Sequence, residues 1–246
     1  MARYKSATDI INQVAIETGL RKVADPFGES DPAYAQMVAL LNSAGMELLE
    51  ENAWGNMRRQ EEFTTDAVTS PDGVYPLPAD YNYMIDQTGW ERTQAVPLFG
   101  PTSPQMWAYL LGRNLVTSTI YAQFRITEDS LYLFPQPPPD GLQIAYEYIS
   151  DNWVNVNGAP GEYSNTAVNG ADIILYPYLL MQRLLKARFL QARGFDNSVA
   201  LNEFLASLQS WKGKDKGAPV LNAGNCGYGF PYLDPYRNTP DTGYGP

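Results

Sequence analysis

Apolar residues recur at three- and four-residue spacing near both ends of the chain, and alternate in short runs through its middle. Ser6 to Leu20 sets Ile10, Ile11, Val14, Ala15 and Thr18 on one face, with Ser6 and Asp9 at capping-box spacing and Gly19 as a stop. A turn follows at Asp25-Pro26-Phe27-Gly28. Asp31-Pro32 opens a second helix, because Asp supplies an oxygen to a free N–H and Pro tolerates the first helical position. Tyr34, Met37, Val38, Leu41, Gly45 and Leu48 form its apolar face, with Glu47, Glu50 and Glu51 on or near the other side, and it is expected to end near Trp54-Gly55.

Around Arg59 the period changes. "RRQEEFTTDAV", "GVYPLP", "NYMIDQTGW", "TIYAQFRIT", "SLYLFPQ" and "LQIAYEYIS" are β-branched and aromatic runs divided by Pro, Gly and Asp, which predicts strands. "FRITEDSLYLFP" predicts a hairpin turning at Thr127-Glu128-Asp129-Ser130. Within this region "SPQMWAYLLGR" predicts a short helix, capped by Ser103, opened by Pro104, and apolar at Met106, Trp107, Leu110 and Leu111. A polar loop from Asn155 to Gly170 leads to "ADIILYPYLLMQRLLKARFLQAR", expected as a long helix from about Ala171 to Arg193. Its first half is apolar nearly all round, which implies burial on several sides. Pro177 either kinks that helix or marks its true start, and Gly194 stops it. Asn197 or Ser198 caps a last helix with Leu201, Phe204, Leu205, Leu208 and Trp211 on one face.

The expected fold is therefore α+β. Residues 1–58 and 157–216 form a discontinuous four-helix bundle, 59–156 a β-rich insertion, and 217–246 an extended C-terminal arm, with no internal repeat. The arm, "NAGNCGYGFPYLDPYRNTPDTGYGP" from Asn222, cannot nucleate a helix or hold a strand ladder, since Gly and Pro run through it. Unlike most disordered tails it is rich in aromatics, which makes Tyr228, Phe230, Tyr232 and Tyr236 candidate partner-docking residues that order on contact.

Composition narrows the chemistry. The chain has 246 residues, 44% apolar and 13% aromatic with 17 tyrosines, a load typical of surfaces that meet other proteins. Net charge is −10, which disfavours gripping phosphate backbones. The charge is uneven: 11 acids against 3 bases from Asp72 to Asp172, and 7 bases against 3 acids from Gln182 to Lys216. That asymmetry suits head-to-tail stacking of copies or an acidic partner, with an ordinary solvated helix face as the equal alternative. The lone Cys226 precludes an intrachain disulfide, the first residues lack the apolar stretch of a signal peptide, and the uncharged run Thr93 to Gly112 is too broken by prolines and glycines to span a membrane.

There is no histidine, which removes Ser-His-Asp and Cys-His nucleophile systems and histidine zinc sites. Asp80, Asp86, Glu91, Glu128, Asp129 and Glu147 could in principle supply a glycosidase pair, but most fit turns and exposed strand faces. No calcium loop is complete, and "GNCGYG" has neither the preceding strand nor the closing lysine of a phosphate cradle. No catalytic residue, metal site or cofactor is expected.

"GVYPLPADYNYMIDQTGWE" is more specific. Pro76 and Pro78 keep the chain extended and Asp80 turns it. The segment Tyr75, Leu77, Pro78, Ala79, Asp80 resembles one in the head-to-tail adaptor (connector) proteins of short-tailed bacteriophages, the tail tubular protein A and tail accessory or gatekeeper group. The layout from Ser6 to Trp211 is similar too: a helix pair, a β-rich middle, a long late helix and an extended tail. The resemblance implies a non-enzymatic virion structural protein, assembled in the host cytoplasm as a ring of twelve copies between portal and tail tube or nozzle. Double-stranded DNA would pass through without specific binding, and no membrane is involved. It makes the motif a structural corner and the arm a grip on the portal or a neighbouring subunit. The alternatives are a carboxylate-based cell-wall glycosidase and another tail or baseplate binding module.

Overall fold

The structure, a computed structural model, describes residues 4–112 and 122–215. The chain enters through a two-residue strand, β1 (Lys5–Ser6), and turns at once into α1 (Ala7–Glu17), where Ser6 Oγ accepts the Asp9 N–H at 3.2 Å. Gly19 follows at φ +81°, a left-handed stop that costs a residue without Cβ nothing. α2 (Pro32–Glu51) starts as expected, with Asp31 Oδ1 accepting the Ala33 N–H at 2.9 Å. Tyr34, Met37, Leu41, Gly45 and Leu48 are buried along its inner face.

The β-rich stretch contains β2 (Arg58–Thr64), β3 (Val74–Pro76), β4 (Tyr81–Met84), β5 (Trp90–Glu91) and β6 (Val96–Pro97), then α3 (Pro104–Gly112), β7 (Gln123–Thr127), β8 (Ser130–Phe134) and β9 (Gln143–Ser150). β9 organises one sheet: β2 runs antiparallel along one side in unbroken register, and β4 and β5 share the other. β3, β8 and β7 form a second antiparallel sheet, with the predicted hairpin closing between Thr127 and Ser130. α3 is capped by Ser103 Oγ, which accepts the Met106 N–H at 3.2 Å. Its apolar side departs from expectation. Only Trp107 is buried, edge-on to Tyr132 and Phe134 at 6.4 Å each, while Met106 and Leu111 are exposed. Just before the helix, Thr102 donates its N–H to the Phe124 carbonyl of β7 at 2.9 Å.

β10 (Val154–Asn155), β11 (Tyr163–Ser164) and β12 (Ile173–Ile174) join β1 in a small sheet of order β1-β12-β10-β11. The predicted long helix is thereby corrected. From Ala171 to Pro177 only the two-residue strand Ile173–Ile174 is regular, and Pro177 is the N-cap of α4 (Tyr178–Ala192). Asp172, Ile174 and Tyr176 are fully buried on alternate positions, a strand signature hidden by an apolar run that looked uniform. α5 (Ser198–Asp215) follows Asn197, whose carbonyl accepts the Leu201 N–H at 2.8 Å, and Asp196 Oδ1 accepts the Ser198 N–H at 2.9 Å just before it. Phe204 and Leu208 face inward, but Leu201 and Leu205, expected on the same face, are exposed. α4 packs against α1, α2 and α5, and α1 against α2.

Two cores result. The larger gathers the inner faces of α1, α2, α4 and α5 with Trp54, Met57, Ile149, Trp153, Ile174 and Tyr176. The smaller holds Tyr75, Leu98, Phe124, Leu131, Leu133 and Ile144. β9 contributes to both, Ile144 to one and Ile149 to the other, so it couples the two packing units mechanically.

Candidate interaction surfaces

The proline motif is a turn between sheets. Tyr75 is buried in β3, its ring 4.5 Å from that of Phe63, and its hydroxyl accepts the Asp66 N–H at 3.3 Å. Leu77 donates its N–H to the Asp129 carbonyl at 3.0 Å, and the Pro78 carbonyl accepts from Tyr81 at 3.0 Å, which starts β4. Asp80 then reaches across to β9, accepting the Tyr148 hydroxyl at 2.9 Å and the Ser150 hydroxyl at 2.6 Å, while its carbonyl accepts the Asp151 N–H at 2.9 Å. Leu77, Pro78 and Asp80 are half-buried and Ala79 is exposed. Burial, then the bond to Asp80, pushes the Tyr148 phenol well above its ordinary value, so it stays a donor.

Sequence reasoning missed Glu61. Alternation in β2 turns Arg59, Glu61 and Phe63 to the face of Tyr146 and Tyr148, where burial and then Asp80 raise the Glu61 carboxyl above the usual range. The signal was present in the period-2 spacing of "RRQEEFT". The other acids have local uses. Glu91 is buried, and its two oxygens accept the Thr93 and Gln94 N–H groups at 2.7 Å each, closing the β5–β6 turn. Glu147 lies 3.7 Å from Arg58, and Glu128 takes the positive-φ position of the β7–β8 turn at +55°. A cavity of about 650 Å³ lies beside β9, with Trp90, Gln60, Glu91 and Glu147 on its walls; of its two carboxylates, Glu91 has both oxygens engaged by the β5–β6 turn and Glu147 lies beside Arg58. Among the described residues no cluster of three or more His, Cys, Asp or Glu could hold a metal, and no helix is long and apolar enough to cross a membrane.

Three of the seven bases between Gln182 and Lys216 meet acids of the N-terminal helices. Lys186 meets Glu17 at 3.0 Å, Arg188 meets Glu47 at 3.0 Å, and Lys212 meets Glu51 at 2.6 Å, so cations of α4 and α5 are matched to anions of α1 and α2. Gln182 adds a bond to Glu17. These pairs are part-exposed and each contributes modestly, roughly 0.2–1 kcal/mol, but together they fix which helices are neighbours. The acidic surplus of residues 72–172 takes no part in these three pairs. Uncovered apolar groups remain on the outer faces of α3 and α5, at Met106, Leu111, Val199, Leu201 and Leu205, and at Phe195 between α4 and α5. Tyr228, Phe230, Tyr232 and Tyr236 lie outside the described residues.

The described surface thus offers corners, turns, ion-paired seams, a cavity beside β9 and scattered apolar groups. The family model described as SU10 adaptor protein matches residues 5–218, and the chain belongs to that family of phage adaptor proteins, structural components of the virion. No curated protein matches the chain.

Proposed function

We propose that this protein is a head-to-tail adaptor that assembles as a ring, of twelve copies, between the portal and the tail tube or nozzle, and that DNA leaves the head through its lumen. The observation that carries this reading is the adaptor-family match across residues 5–218, which spans helices and β-rich stretch together. The tail tubular protein A and gatekeeper group is the branch to which its layout points. In this reading residues 1–58 and 157–216 are a four-helix bundle that forms the frame, 59–156 is the β-rich insertion, and 217–246 is an arm. Two separate cores sharing β9 support that division.

The motif Tyr75 to Asp80 is a rigid corner that sets the insertion's angle, since Asp80 is bonded by two hydroxyls of β9. The acidic surplus lets DNA pass without being held. Subunits fold in the host cytoplasm and close into a ring only on the portal, where Tyr228, Phe230, Tyr232 and Tyr236 of the arm bury their rings on the portal or a neighbouring subunit. Removing residues 217–246 tests the arm. The shortened protein is expected to keep its helical circular dichroism and melting profile and to lose portal binding in a co-sedimentation assay. Undiminished binding overturns the arm's role.

A further inference from the structure

β2 ends its sheet, in the order β2-β9-β5-β6, and among the described residues no strand pairs with its outer side. The direction of its backbone groups follows from its neighbour. Glu147 donates its N–H to Thr88 Oγ1 at 3.2 Å and accepts from the Ile85 N–H at 2.9 Å, and the Gln143 carbonyl accepts from Arg92 at 2.7 Å. These β9 residues therefore spend their backbone groups on the β4 and β5 side. Across from Ile149, Glu147 and Ala145 stand Arg58, Gln60 and Glu62 of β2, which must turn their own groups outward. The Arg58 N–H is used by the preceding turn, on the Gly55 carbonyl.

Exposed edges are usually kept short, charged, or broken by proline or a bulge, because they template pairing with another chain, and β2 has only the charges. This one is seven residues long, without proline, and in unbroken register with β9. Its charges are ordered. Arg58-Arg59-Gln60-Glu61-Glu62 is antisymmetric in sign about Gln60. Two such strands laid antiparallel about a two-fold axis at Gln60 set Arg58 against Glu62 and Arg59 against Glu61, twice over, so every charged cross-strand pair is attractive. With the axis at Glu61 instead, two glutamates face each other and the arginines face Phe63 and Thr64. Charge thus selects one register. Among present partners, the Glu62–Arg92 contact at 3.1 Å and the Arg58–Glu147 contact at 3.7 Å are half-exposed pairs that rearrange cheaply. Arg59 lies over Tyr163 and donates to the Asn56 carbonyl at 3.0 Å and the Arg58 carbonyl at 3.2 Å, and it must turn from these to reach Glu61 of the second copy. The Arg58 carbonyl has a second lone pair for the incoming N–H.

We propose that outside the particle two copies of this chain pair edge to edge, β2 against β2, about a two-fold axis at Gln60, joining their sheets into one. Gln60 exchanges both backbone bonds with Gln60 of the second copy, and each Glu62 N–H reaches the opposite Arg58 carbonyl. A two-fold contact closes on itself and cannot run round a ring, whose neighbours meet head to tail. The pair is therefore a free-protein state that separates before assembly, and it stands or falls independently of the ring.

Sedimentation equilibrium of the full chain in ~50 mM salt, over roughly 1–100 μM, should show mass rising from 27.4 kDa towards twice that value. Raising salt to ~0.5 M should weaken the pairing about tenfold. Arg58→Glu with Arg59→Glu, and separately Glu61→Arg with Glu62→Arg, should each leave a folded monomer, and an equimolar mixture of the two should pair again. Gln60→Pro removes an outward donor without touching the β9 ladder, so it should abolish pairing with all charges intact. A wild type that stays at 27.4 kDa throughout, a mixture of folded charge variants that fails to pair, or a Gln60→Pro protein that pairs normally each overturns the proposal. Should a charge variant not fold, Gln60→Pro and the salt series decide. A wild type that stays monomeric leaves the ring reading intact.

Discussion

Replacing Gly45 with alanine should destabilise the protein, although glycine inside a helix is ordinarily a weakness. The propensity gain from this change is up to about 1 kcal/mol. Against it, a Cβ at position 45 would lie 2.3, 2.4 and 2.6 Å from three atoms of the Trp153 indole, far inside contact distance. The indole cannot retreat easily. It is fully buried and stacked on Tyr176 at 5.9 Å, Tyr176 meets Trp54 at 5.6 Å, and the Tyr176 hydroxyl donates to the Gly45 carbonyl at 2.8 Å. Overpacking a closed core costs about 1–3 kcal/mol, and disturbing the Tyr176 bond about 1 kcal/mol more. The expected net loss is about 2 kcal/mol, or a Tm lower by roughly 4–8 °C for a chain of this length. Gly213→Ala in α5, where a Cβ meets nothing within 4 Å, is the control, and should raise Tm by roughly 2–3 °C. Thermal unfolding followed by circular dichroism reads both. A rise for Gly45→Ala matching that for Gly213→Ala would refute the packing argument.

Asp172→Ala should cost about 3 kcal/mol, roughly 6–12 °C in Tm, because its buried carboxylate accepts the N–H groups of Asn157 and Val168 at 3.0 Å and Asn169 at 2.9 Å. Burial holds the Tyr176 phenol protonated far above its usual value, while the unfolded chain releases that proton near pH ~10, so stability is full below that pH and declines above it. Tyr176→Phe should lose about 1 kcal/mol at neutral pH, yet show a shallower decline in alkaline melts. The Glu61 carboxyl is raised by burial and Asp80, so its stabilising contribution is complete below the unfolded carboxylate pKa and lost as pH rises through the folded one. Glu61→Gln should therefore raise Tm at pH 7, and the difference should vanish in melts near pH ~3.5.

Elements with local chemical punctuation were legible from the amino-acid order. Ser6, Asp31 and Ser103 each deliver the expected capping oxygen, and the β7–β8 hairpin closes at its polar turn. What failed depended on long-range partners. The run from Ala171 looked helical because its apolar character is continuous, whereas pairing of Ile173 and Ile174 with β1 and β10 makes it a strand. Leu201, Leu205, Met106 and Leu111 sit at helical spacing, but periodicity cannot say whether a neighbouring element covers them. The basic stretch after Gln182 read as a free surface, because its counter-charges, Glu17, Glu47 and Glu51, are more than a hundred residues away in the chain. In the motif, Asp80 was picked out as a turn, while the hydroxyls that grip it come from a strand about seventy residues later.

The most direct test is electron cryo-microscopy of the particle's neck, with the map fitted by this chain. The account predicts a closed cyclic ring of copies seated between portal and tail, helices packed side by side and DNA or an open channel on the axis. A neck from which the chain is absent, or in which it occurs as an isolated copy bound elsewhere on the tail, contradicts it.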